Sequence, residues 1–155
     1  EDKDTPLFNG QAQDERFRAT GRVLSAVING VPVAYPFVTL SLYAPVNDIV
    51  GGVPLVAFWQ PGMSSALDQP WIDEGRDVGM AALYERRLPD ARVLEFVLDE
   101  SGAGFRDTAT GSLWNMFGQA IEGELAGLHL TRLNCGTRFW FAWSAAHPET
   151  LLYTP

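Results

Sequence analysis

Two β-hairpin signals near the start of the chain constrain its fold more than any other feature. The apolar run RVLSAVI is followed by Asn29-Gly30 and VPVAY, and the run PVNDIV is followed by Gly51-Gly52 and VPLVAFW. Such pairs readily take the positive φ values that two-residue hairpin turns require. We therefore expect antiparallel strands joined by tight turns. The likeness of the two units fits either an internal repeat or two independent hairpins with the same turn chemistry.

Later segments continue this pattern. MAALYERR and ARVLEFVLD predict a third hairpin around Leu88-Pro89-Asp90, and GFRDTATGSLWNMFG predicts two short strands around a Thr-Ala-Thr-Gly turn. FVTLSLY after Pro36 indicates a short helical turn. RFWFAWSAAHP, which Pro148 ends, predicts a helix over Arg138 to His147, and LLY predicts a closing strand. AIEGELAGLHLTRLN ends in another predicted strand.

These elements predict a β-dominated α+β fold. We expect antiparallel hairpins that form a barrel-like or sandwiched sheet, with one C-terminal helix. At helical spacing Trp140 and Trp143 share a face, as do Phe139 and Trp143, and this face should pack on the sheet. We expect residues 1–21 to form a flexible polar lead-in and residues 22–155 to form a single domain. The polar start would suit a tether after a removed signal or lipid anchor.

Charge and length exclude several classes of partner. The formal net charge of −8 argues against binding nucleic acid or an anionic membrane surface through electrostatics. No apolar run reaches the roughly 18 residues that a membrane-spanning helix needs, so we expect no transmembrane segment in this chain. There is also no metal-ligand cluster, phosphate loop or complete nucleophile–base pair in the sequence, and we expect no metal and no cofactor.

The cysteine and the histidines give no catalytic pattern. Cys135 is the only cysteine, so no intrachain disulfide can form, and we expect it to be a small, semi-buried apolar residue. A thiol nucleophile is the weaker alternative, because neither histidine has a sequence feature that ties it to Cys135. His129 lies in an apolar strand pattern, and His147 precedes Pro148 at a predicted helix end.

The long segment from Gln60 to Val78 is the best candidate site, because it is rich in Gly, Pro, Ser and Asp and lacks periodicity. A Gly-x-Ser step could expose a hydroxyl, and an arginine beside aspartates could orient a polar ligand. The alternative is that these side chains bond to the backbone of their own loop. The candidate residues here are Ser64, Ser65, Asp68, Arg76 and Asp77.

Three tryptophans extend this candidate site. Trp59 ends the second hairpin, Trp71 lies in the long segment, and Trp114 follows the Thr-Gly-Ser turn. If they converge, they would line a groove for a sugar, a peptide or a protein partner. Core packing is the expectation for the aromatic face that Trp140 and Trp143 share.

Several segments together resemble the domain-of-unknown-function 3179 family. In order they are NGVPVAYP, VNDIVGGVPL, SALD, GRDVG, TGSLWN, GQAIEGELAGLHL, FWFAW and HPET. The resemblance covers about Val23 to Tyr153 and rests on the order and spacing of these segments. It implies an exported protein of the kind found in bacteria and archaea. It implies little about chemistry, because the family is largely uncharacterised.

The chain departs from the family pattern at one place. Many members carry a Cys-Pro-x-Cys-like segment after the second hairpin, and a histidine shortly before Val-Asn-Asp. Here Pro61 persists, but Gly62 and Ser64 or Ser65 stand where the thiols would be, and Tyr43 lies near the position of the histidine. The metal or redox chemistry that such thiols suggest is therefore not assigned to this chain, which resembles a thiol-free branch.

The function expected from these observations is that of a non-enzymatic, extracytoplasmic binding or interaction module. Its partner would be an envelope protein, another envelope component or a second copy of the chain, and it could be an accessory part of a cell-envelope assembly. The alternative is a small-ligand-binding protein or hydrolase-like enzyme that uses the loop 60–78. The expected ligand-binding or partner-binding residues are Trp59, Ser64, Ser65, Asp68, Trp71, Arg76, Asp77 and Trp114.

Overall fold

The computed structural model describes residues 21–61, 79–102 and 104–155. The strands are β1 (Arg22–Ile28), β2 (Val31–Pro36), β3 (Val46–Val50), β4 (Val53–Gln60), β5 (Met80–Glu85), β6 (Phe96–Leu98), β7 (Phe105–Asp107), β8 (Leu113–Trp114), β9 (Ala120–Glu122), β10 (Thr131–Arg132), β11 (Gly136–Phe139) and β12 (Leu151–Leu152). The helices are α1 (Phe37–Tyr43) and α2 (Trp140–Ala146). Except for Gly21, the predicted lead-in lies outside the described residues.

The described strands form three four-stranded sheets. The first sheet has the order β11-β1-β2-β12, the middle sheet β10-β5-β4-β3, and the third sheet β6-β7-β8-β9. Neighbouring strands are antiparallel except for β12 and β2, which are parallel. The expected β-dominated α+β fold with a C-terminal helix is confirmed. The described sheets are layered, and they do not close into a barrel.

The first two predicted hairpins are confirmed, and their turns contact each other. Asn29 and Gly30 take φ values of 50° and 82°, and Gly51 and Gly52 take 58° and 81°. A Cβ atom at Gly51 would lie 2.4 Å from the carbonyl oxygen of Ile28, so only glycine fits between the turns. The side-chain amide of Asn29 also donates to the carbonyl oxygen of Gly51 at 2.9 Å.

The middle sheet is buried on both faces. Leu55 and Ala57 of β4 pack toward the first sheet, whereas Val56 and Phe58 pack toward the third sheet. All four side chains are fully buried. A strand covered on both faces needs no polar alternation, which explains the unbroken apolar run VPLVAFW.

Helix α2 covers the other face of the first sheet. Trp140 and Trp143 pack there with Val23, Ala34 and Leu152, so the predicted aromatic contact is confirmed for this pair. The helix begins later than predicted, because Arg138 and its neighbours pair with β1 as strand β11. In the described residues, no helix is long and apolar enough to span a bilayer.

The predicted third hairpin forms only at its turn. An isolated bridge joins Arg87 to Val93, but β5 pairs with β4 and β10, while β6 pairs with β7 in the third sheet. Leu94 and Phe96 are buried in the cluster between the middle and third sheets. The chain therefore passes from the middle sheet to the third sheet, where these apolar side chains are buried, and the hairpin does not continue.

Candidate binding cleft

Most of the predicted site residues fall outside the described residues. For these positions the predicted binding roles remain predictions: Ser64, Ser65, Asp68, Trp71, Arg76 and Asp77. The structure places the other two, Trp59 and Trp114, on opposite faces of the middle sheet. These two indoles therefore do not line one groove.

Trp59 lies beside the two ends of the segment 62–78. Its ring packs against the core between the first and middle sheets. Gly79 lies directly on the ring, with a φ of 49°, and a Cβ atom there would be 2.3 Å from the indole nitrogen. That nitrogen is buried and has no hydrogen-bond partner among the described residues.

Trp114 belongs to a buried polar turn between β7 and β8. Its indole N–H donates to Oδ2 of Asp107 at 2.9 Å, and both residues are almost completely buried. The backbone N–H and the hydroxyl of Thr110 also donate to the Asp107 carboxylate. Ser112 Oγ lies 2.7 Å from Thr110 Oγ1 and accepts from the N–H of Leu125. The motif RDTATGSLW thus forms a closed internal network.

The polar side chains of the Val-Asn-Asp motif also make internal hydrogen bonds. The side chain of Asn47, on β3, accepts from the backbone N–H of Phe96 at 2.9 Å and donates to the carbonyl oxygen of Phe96 at 3.0 Å. An amide group thus ties the edge of the middle sheet to β6 of the third sheet. Asp48 accepts from the hydroxyl of Tyr35 at 2.9 Å, and burial together with this carboxylate raises the pKa of Tyr35.

Arg86 is a third internal junction. Its guanidinium is buried and donates to three carbonyl oxygens: Leu55 at 2.7 Å, Leu94 at 3.0 Å and Asp48 at 3.0 Å. Burial lowers the pKa of this guanidinium. The Arg86 side chain thus connects β3, β4 and the segment that leads into β6, so its N–H donors are engaged in internal hydrogen bonds.

The bridge made by Asn47 gives a local prediction. Replacing Asn47 by Ala leaves the N–H and C=O of Phe96 without their side-chain partner, and we expect a loss of about 1–2 kcal/mol in the free energy of unfolding. Amide hydrogen exchange should accelerate at Phe96 more than elsewhere in β6. Asn47→Asp keeps the acceptor but turns an oxygen toward the Phe96 carbonyl, so it should not restore stability. Unchanged exchange at Phe96 in the alanine variant would refute the bridge.

A cleft of about 300 Å³ lies at the edge of the first sheet, where β11 begins and α2 ends. Strand β1 forms one side of the cleft, and the segment that leads into β11 forms the other side. The end of α2 forms the rim. Its lining residues are Ser25, Ala26, Val27, Asn134, Cys135, Gly136, Arg138, Trp143 and His147.

The backbone of β1 is open toward this cleft. Ala34 accepts from the N–H of Tyr153 at 2.9 Å, so its backbone points away from β1, and the backbone of its partner Ser25 points away from β2. Val27, two residues further along, has the same orientation. Because β11 pairs only as far as Ser25, the N–H and C=O of Val27 face the cleft without a backbone partner among the described residues.

Some polar groups of the cleft are used internally and others are not. Ser25 Oγ donates to the carbonyl oxygen of Gly136 at 3.1 Å, and the indole N–H of Trp143 donates to Thr150 Oγ1 at 2.8 Å. The side chains of Asn134, Arg138 and His147 make no hydrogen bond or salt bridge with another described residue. The cleft therefore offers an amide, a guanidinium and an imidazole to a ligand.

Cys135 and His147 both line this cleft, which the sequence did not predict. Their spacing in the sequence carries no such signal, because strand β11 and helix α2 must both form before the two residues lie at one cleft. The expectation of a semi-buried apolar cysteine is confirmed, since Cys135 is partly buried and packs against the core. The His147 ring packs on Trp143, with centroids 4.2 Å apart, and makes no hydrogen bond with the thiol. This arrangement is not a nucleophile–base pair.

The described residues contain no cluster of three or more His, Cys, Asp or Glu side chains that could hold a metal ion. No curated protein and no solved structure is significantly similar to the chain. The sequence model of the family described as "Protein of unknown function (DUF3179)" matches residues 1–150. The chain therefore belongs to the DUF3179 family.

Proposed function

We propose that this chain is a non-enzymatic, extracytoplasmic binding module that recognises a component of the cell envelope through the cleft beside Arg138. The observation that carries the proposal is a contrast in how polar groups are used. Internal hydrogen bonds occupy the side chains of Asn47, Arg86 and Asp107. By contrast, the side chains of Asn134 and Arg138 line a cleft and have no hydrogen-bond or salt-bridge partner among the described residues.

The cleft also has features of a recognition surface. It is open, it combines polar groups with the ring of Trp143, and it includes an unpaired stretch of β1 backbone. Such an edge can accept hydrogen bonds from, and donate them to, an extended segment of a partner. The extracytoplasmic location is supported by the family resemblance, which implies an exported protein, and a net charge of −8 suits a soluble surface.

Site-specific crosslinking in the native host tests this proposal. A photoreactive benzoylphenylalanine replaces Val27 at the rim of the cleft, or Ile121 on the third sheet as a matched control. The two side chains are 49% and 50% exposed, so their access to solvent is equal. We expect a discrete adduct with an envelope component from position 27 and none from position 121.

Two results would refute the proposal. One is an adduct pattern that is the same at both positions, which would mean that the cleft is not the recognition surface. The other is recovery of the protein in the cytoplasmic fraction, which would contradict the proposed location.

A further inference from the structure

We propose that the cleft binds a carboxylate group, with Arg138 as the main anchor. The inference rests on the proposed function, because it names the ligand chemistry of the same cleft. It starts from the charge of the molecule. The chain has 11 basic and 19 acidic residues, so possible acidic partners outnumber the basic side chains.

Most other described arginines have protein partners, and Arg132, which has none, does not line the cleft. Arg87 pairs with Glu85, Arg92 with Asp90 and Arg106 with Asp99, while Arg86 donates to backbone carbonyl oxygens. Arg138 makes no salt bridge with a described residue, although it lies in a cleft. Its planar guanidinium offers parallel N–H donors whose spacing matches the two oxygens of a carboxylate.

Gly136 keeps the space beside this guanidinium open. It lies in strand β11, where glycine is unfavourable, and its φ is not in the left-handed region that would require glycine. A Cβ atom at this position would contact Nη2 of Arg138 at 3.7 Å. The missing side chain therefore leaves room for a ligand atom next to the cation.

The remaining walls suit a small ligand with one polar end. The amide of Asn134 and the backbone N–H of Val27 supply further donors in the same cleft, and the ring of Trp143 supplies an apolar surface. A volume of about 300 Å³ is at the small end of ligand sites. It fits a short carboxylic acid or the last residue of a polypeptide chain.

NMR titration of the isotopically labelled protein tests the inference. The probes are acetate, succinate, and acetyl-Ala-Ala with a free or an amidated carboxyl terminus, with inorganic phosphate for comparison. We expect saturable shifts at the amides of Val27 and Gly136 and at the indole N–H of Trp143 with the free carboxylates only. A preference for acetyl-Ala-Ala would assign the ligand to a chain terminus, and a preference for succinate would assign it to a free acid.

Matched variants locate the anchor. Arg138→Gln should weaken carboxylate binding about tenfold or more, because it removes a charge-assisted bidentate contact. Gly136→Val should weaken it by filling the space beside the guanidinium. Arg132→Gln removes the same charge from an exposed arginine on β10 that also has no described partner, and it should leave binding unchanged.

Three results would overturn the carboxylate assignment. They are equal shifts with the amidated peptide, tighter binding of phosphate than of any carboxylate, and equal effects of Arg138→Gln and Arg132→Gln. Absence of any shift up to about 50 mM, well above the millimolar Kd that such a contact supports, would also overturn it. If the crosslink at Val27 persisted in that case, only the ligand class would be wrong and the proposed function would stand.

Discussion

Replacing Asp107 by Ala should lower the free energy of unfolding by about 3 kcal/mol, because it leaves buried donors without an acceptor. The carboxylate is 1% exposed and accepts from the indole N–H of Trp114 and from the N–H and hydroxyl of Thr110. The indole N–H, on a fully buried side chain, cannot reach water without opening the turn between β7 and β8. Urea denaturation measures the effect as a lower transition midpoint with an unchanged slope.

A double-mutant cycle separates this hydrogen bond from general packing. In a Trp114→Phe background the indole donor is already absent, so Asp107→Ala should cost about 1–2 kcal/mol less than in the parent. Asp107→Asn keeps one acceptor oxygen and should fall between the parent and the alanine variant. A loss below about 1 kcal/mol for Asp107→Ala would show that the buried turn does not depend on this carboxylate.

Replacing Arg86 by Met should also destabilise the fold by about 3 kcal/mol. The substitution keeps the buried aliphatic volume but removes three hydrogen bonds from a charged donor to the carbonyl oxygens of Leu55, Leu94 and Asp48. Because these bonds join three parts of the chain, the loss should appear in global unfolding. The free energy from urea denaturation measures it directly.

The neighbouring residue provides a matched control. Arg87 is 48% exposed and lies 3.7 Å from Glu85, so Arg87→Met should cost about 0.5 kcal/mol or less. Arg86→Lys keeps a charge but cannot reach all three carbonyl oxygens, and it should be intermediate. If the two methionine variants were equally stable, Arg86 would not be the junction between the sheets.

The sequence predicted the local parts of this fold well. Asn29-Gly30 and Gly51-Gly52 define their hairpins within a few residues, because positive φ values and strand pairing are set by neighbouring atoms. The sequence also predicted the C-terminal helix, but the first two residues of the predicted range, Arg138 and Phe139, belong to strand β11. Pairing with a distant strand there outweighs the helical pattern.

The long-range parts could not be predicted from residue spacing. The contact from Ser25 to Gly136 joins residues 111 positions apart, and it creates one edge of the cleft. For the same reason, residue spacing does not indicate that Asn134, Arg138 and His147 line one cleft. Conversely, the motif around Trp114 was a candidate for binding, but the structure shows that its polar groups form an internal network.

The most direct measurement of the central claim is the yield of the crosslink from position 27 in an Arg138→Gln background. Since Arg138 is exposed and has no described partner, the substitution should leave the urea midpoint unchanged. We predict that the adduct with the envelope component is lost or strongly reduced, while Arg132→Gln leaves its yield intact. A full yield of the same adduct without Arg138 would contradict the account.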